Sequence, residues 1–196
     1  MALDPTGAES SPEFDRMLQQ LRREFRTFRL VPKHRSGLMR LIYRALLMRL
    51  WCPEFMTRYT TVLLSSVYMP QDLIGTAAGA RTLRHERVHM RDCWRTGVLP
   101  FALSYVLLLP AGLTLRSVWE MRGYAETMRA EAERSGEVSP ELRRHVVQQF
   151  VGPAYLWMCP FPRLVTRWVD RVAARAEQQA ARERREGRAG RAGTGG

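Results

Sequence analysis

Through most of this chain, apolar residues return every three or four positions, and the breaks in that rhythm mark its elements. Leu18, Leu21, Phe25 and Phe28 stand at helical spacing between arginines, and Leu38, Leu41, Ile42, Leu46 and Leu50 repeat the pattern. Two amphipathic helices are therefore expected, with ordered structure starting near Asp15. The run RYTTVLLSSVYMP, residues 58–70, changes character. β-Branched and aromatic residues crowd together and Pro70 closes the run, which predicts one strand or a hairpin. After a loop at Gly75, helical composition returns from about Thr76 to Trp94.

Residues 96–115, TGVLPFALSYVLLLPAGLTL, are twenty positions without a charge. Pro100 and Pro110 bracket only about ten of them, and ten helical residues cover about half of a ~30 Å hydrocarbon core. The expectation is a buried helix rather than a transmembrane span. A further helix is predicted from about Leu115 to Arg134, stopping near Gly136. Another opens at Ser139, a candidate N-cap, with Pro140 in its first position. A last helix, RWVDRVAARAEQQAARERREG, loses its apolar face after about Ala176. The polar leader, residues 1–14, and the Arg/Gly tail, residues 187–196, lack the apolar residues a core needs and are expected to be disordered. The sum is a mainly α fold with a small β element, an α+β arrangement in one domain over residues 15–186.

Composition changes this picture little; charge changes it more. The chain has 196 residues and a formal net charge of +12. Such a charge suits phosphate-rich partners, yet Lys33 is the only lysine, and a general preference for arginine, alanine and glycine would give the same excess. No nucleic-acid reader motif accompanies it, so nucleic acid is not the expected partner. Peripheral contact with an anionic membrane face is compatible with it. Cys52, Cys93 and Cys159 are far apart, without a C-x-x-C pair, and imply neither a disulfide framework nor a thiolate cluster. The N-terminus carries acids and prolines where a secretion signal needs a basic start and an apolar run, so a cytoplasmic address is expected.

The chemistry concentrates in RTLRHERVHMRDCW, residues 81–94, where His85, Glu86 and His89 form H-E-x-x-H. Residues four apart on a helix share a face, so both imidazoles can aim at one ion. Glu86 is offset to reach a water on that ion and take its proton as general base. Zinc suits two imidazoles and a carboxylate; it lowers the pKa of bound water toward about 7 and polarises a carbonyl. A catalytic site needs a third protein ligand. The metzincin continuation is absent, because Asp92 and Arg95 stand where glycine and a histidine or aspartate are required. A carboxylate from a later helix remains, and RSVWEMRGYAET offers Glu120, with Tyr124 one turn on. Glu126 is the competitor, more than a quarter-turn away from the Glu120 and Tyr124 face.

The order SSVYMP, LRHERVHMRD, FALSYVLLLP, WEMRGYAET resembles small bacterial gluzincin-type zinc metallopeptidase domains, over about residues 58–130. The resemblance implies His85, His89 and Glu120 as zinc ligands, Glu86 as catalytic base, and a peptide or protein substrate. The pattern departs from the family around Glu120, where the supporting carboxylate of that helix is missing. Asp92 is a substitute for it, orienting an imidazole from beyond the ligands, or a surface acid paired with Arg91 or Arg95. Tyr124 and His145 are candidate donors to the oxygen that gains charge during attack, with Tyr155 behind them. Residues 151–165, with Tyr155, Trp157, Met158 and Phe161 among prolines, are expected to cover the core rather than wall a cleft. A second functional class stays open: a basic helical binding module for a membrane surface, nucleic acid or protein assembly.

Overall fold

Ser11 opens the first helix. Its hydroxyl accepts a hydrogen bond from the Phe14 amide at 3.2 Å and Pro12 follows in the first turn, so α1 spans Pro12–Glu24, ahead of the expected start at Asp15. The computed structural model describes residues 10–45, 53–101, 115–152 and 158–192. The chain divides into two compact units, Met1–Phe101 and Ala102–Gly196. It is mainly helical with one three-stranded sheet.

In the first unit, α1 is followed by β1 (Arg29–Pro32), α2 (Gly37–Ala45), β2 (Thr61–Leu63), β3 (Ser66–Met69) and α3 (Ala77–Thr96). The sheet order is β1-β3-β2. β2 and β3 form an antiparallel hairpin, pairing Val62 with Val67. β1 runs parallel to β3, with Leu30 opposite Val67 and Val31 opposite Tyr68. Phe28 therefore does not extend α1 as its spacing implied. Phe25 already has extended backbone, and the chain leaves the helix to pair with β3, helped by the Thr27 hydroxyl donating to Ser65 Oγ at 2.8 Å. Phe14, Leu21, Phe25, Val67, Met69, Leu83 and Met90 form the core of this unit. On α2 the apolar stripe is not the buried one. Leu38 and Leu41 are exposed, whereas Met39 is fully buried.

Lys33 closes this unit in an unexpected way. It is fully buried, and its Nζ donates to Phe55 O at 2.7 Å, Tyr59 O at 2.8 Å and Thr61 Oγ1 at 2.9 Å. The ammonium also lies 3.6 Å from the centre of the Phe55 ring. An ammonium has three donors and no acceptor, so these contacts match its valence.

The second unit contains α4 (Leu115–Ser135), α5 (Pro140–Val151) and α6 (Pro162–Ala192). α4 ends at Gly136, whose φ of 97° is left-handed. Its amide donates to Ala132 O at 2.8 Å, and Arg184 caps the neighbouring Ala132 and Glu133 carbonyls. Ser139 caps α5 through the Leu142 amide, with Pro140 following. Met128, Val146, Phe150, Val165, Val169 and Ala173 are buried together in its core, each larger side chain contributing roughly 1.5–3 kcal/mol. Ala180 is also buried, so the packed face of α6 runs past Ala176. The helix itself continues to Ala192, into the stretch read as an unstructured tail.

The apolar segment between Pro100 and Pro110 lies almost wholly outside the described residues, as do Leu46, Leu50, Tyr155 and Trp157. Of the 151–165 stretch, Met158 is buried and Phe161 exposed. Among the described residues, no helix is long and apolar enough to cross a membrane.

Candidate metal centre

α3 carries the H-E-x-x-H residues, and its position is set at its start and along its back. Thr76 caps it, accepting from the Gly79 amide at 2.9 Å while donating to Leu73 O at 2.9 Å. Gly79 admits the close approach that follows: a Cβ there would lie 1.9 Å from the Leu73 carbonyl oxygen. Leu83 and Met90, seven residues apart and so on one face, are fully buried in the core. Glu24 of α1 accepts from Arg87 Nε at 2.6 Å and from Arg91 Nε. Burial pushes the Glu24 carboxyl up, but hydrogen bonds from Arg91 and Arg87 and their charges outweigh it, so it titrates below the ordinary carboxylate value.

Arg87 and Arg91 project roughly opposite to His85 and His89 on the helix wheel. Their ion pairs with Glu24 therefore resist rotation of α3 without occupying the histidine face. A hollow of about 560 Å³ lined by Arg16, Gln20, Glu24 and Arg87 belongs to this same rear side, away from the motif histidines.

On the histidine face the two rings meet. His85 Nε2 and His89 Nε2 are 3.0 Å apart, with ring planes at 69°. Two ring nitrogens this close share either a proton or a cation. His85 and His89 offer two ring nitrogens from one face of α3, and α4 of the second unit carries Glu120 as the third candidate ligand. His85 is half-buried, whereas His89 and Glu120 are each 5% exposed. Withdrawing a carboxylate this far from water costs free energy that a neighbouring cation offsets. By donor type, two imidazoles and a carboxylate suit a zinc ion.

The other predicted residues distribute unevenly. Glu86 is half-buried, next to His85 on α3. Glu126, the competing carboxylate on α4, is half-buried. Tyr124, 8% exposed, packs edge-on against His145, with centroids 6.4 Å apart, and against Phe150 at 5.8 Å. His145 itself is exposed. Asp92 is 2% exposed, which removes the reading of it as a surface acid. Cys93 is buried and its thiol is pushed up by desolvation, leaving little thiolate for chemistry.

Sequence reasoning passed over Gly79 and Glu24. An isolated glycine in a helical run can signal a close approach; for Glu24, whose arginine partners lie more than sixty positions away, no local signal exists. No protein-family profile matches the chain, and neither a curated protein nor a solved structure is significantly similar to it.

Proposed function

We propose that the chain is a zinc-dependent metallopeptidase, with His85, His89 and Glu120 holding the ion and Glu86 acting as general base. The observation that carries this reading is the approach of the His85 and His89 Nε2 atoms to 3.0 Å on one face of α3, with the Glu86 carboxylate next in sequence to the first histidine and a buried carboxylate at Glu120 of α4. When bound, zinc supplies a Lewis acid that polarises a carbonyl and acidifies water.

The protein residues divide the remaining work. The Glu86 carboxylate takes the proton of the attacking water and delivers it to the leaving amine nitrogen. Glu120, His85 and His89 would hold the ion, three protein ligands being the number a catalytic zinc site uses. Tyr124 and His145 are the proposed donors to the carbonyl oxygen as it gains charge. The buried Asp92 is proposed to orient the histidine rings from the side.

Elemental analysis and peptide turnover test the assignment together. Purified protein should hold about one zinc per chain, and His85→Ala with His89→Ala should abolish it. Glu86→Gln should retain the metal while turnover of a cleaved peptide falls roughly 10²–10⁴-fold. Metal bound equally well by the double histidine variant would refute the centre. Native turnover by Glu86→Gln would refute the base.

A further inference from the structure

We propose that the outer face of α6 docks on an anionic lipid bilayer. This face is independent of the metal centre. Val165, Val169, Ala173, Ala176 and Ala180 turn toward the core of the second unit. Projected at 3.6 residues per turn, the opposite sector, about 120° wide, holds Arg163, Arg167, Arg171, Arg175, Arg182 and Arg185. All six are exposed. They span about 33 Å of helix.

No acid falls inside that sector. Asp170 and Glu177 border it but are drawn to Arg143 of α5, at 3.6 Å and 2.6 Å. Glu186 borders the other edge. Among the described residues, no acid pairs with any of the six arginines. Residue choice over the whole chain explains why arginine is abundant; it does not explain why one face collects arginines while the acids stay off it.

The same face indicates its partner. Its polar uncharged side chain is Gln178, and no aromatic residue stands between the arginines, so nothing there engages nucleic-acid bases by stacking or by edge recognition. Exposed Phe161 (54%) and Leu164 (42%) instead lie at the N-terminal end of the row. A bilayer asks for a row of cations against its headgroups and a few apolar anchors. The apolar side of α6 is already committed to the core, so the helix lies on the surface and does not insert.

The test is co-sedimentation of the full chain with vesicles of phosphatidylcholine alone or of phosphatidylcholine mixed with anionic phosphatidylglycerol. Binding is expected only to the anionic vesicles, and it should weaken steeply with added salt. Neutralising Arg167, Arg171 and Arg175 together to Gln should weaken it about a hundredfold. The same three changed to Glu should abolish it. Both variants should melt with the wild type, since the positions are exposed. Phe161→Ala with Leu164→Ala should weaken binding several-fold. Equal binding to neutral vesicles, no binding to anionic ones at low salt, or wild-type binding by the Gln variant would overturn the proposal. So would tighter binding to duplex or single-stranded DNA than to anionic vesicles at the same salt.

Discussion

At the scale of single residues, two charged side chains do opposite kinds of work. Lys33 is held by two carbonyls and a hydroxyl, of which the Phe55 carbonyl is buried and would lose its donor once the ammonium is gone. Lys33→Met should therefore destabilise the protein by about 2–4 kcal/mol, from the unsatisfied acceptors rather than from lost volume. A urea titration reads this directly, and an unchanged midpoint would show that water replaces the ammonium. Glu24 acts through titration. Its carboxyl is lowered in the folded state, so it contributes stability above the unfolded carboxylate value and loses it as pH falls through the lower folded one. The stability difference between wild type and Glu24→Gln should thus be full at neutral pH and shrink below about pH 4.5. A difference that stays constant down to pH 3 would contradict the ion-pair account.

Glu86, His85 and His89 were legible as residues because their relation is local: a helix one turn long already relates them. Lys33 was visible only as the single lysine of the chain. Its burial depends on carbonyls more than twenty positions away, and no pattern within its own segment announces that.

At the scale of elements, the start of α3 is where packing is least forgiving. Gly79→Ala would push a methyl into the Leu73 carbonyl, whereas at Gly37 a methyl meets nothing within 4 Å. The first should cost roughly 2 kcal/mol or more and loosen zinc by displacing the histidine-bearing helix. The second should be neutral or slightly stabilising. Denaturation midpoints of the two variants, measured side by side, separate the close-contact explanation from a general effect of replacing glycine.

Elements closed by local chemistry were readable in advance. Ser139 and Pro140 start α5, and Gly136 ends α4, because caps act within a few residues. β1 was not readable. Its residues follow an amphipathic helix at the same spacing, and only pairing with β3, about 37 positions on, makes them a strand. On α2 the apolar period was real but named the wrong buried face, since Met39 and not the Leu38 and Leu41 side meets the core.

At the scale of the whole molecule, the proposed metal would be linked to the fold. A ligand that binds the native state at a hundred times its dissociation constant adds about 2.7 kcal/mol of stability. Zinc added to chelator-treated protein should raise its unfolding free energy by an amount that grows with the logarithm of free zinc. His85→Ala should remove that dependence. A stability independent of zinc in the wild type would mean that the three ligands do not act as one site in solution.

What the sequence determined by itself is what short-range rules govern: the mainly helical character, a small β element at residues 58–70, the caps, and two histidines and a glutamate in one turn of helix. Only the tertiary structure decided that Glu120 is a buried carboxylate, which side of α2 is buried, and that Asp92 and Lys33 are withdrawn from water. The physical reason is distance along the chain. Helix geometry relates residues three or four apart, but burial and ligand sets are made by segments whose meeting is governed by the packing of all the others.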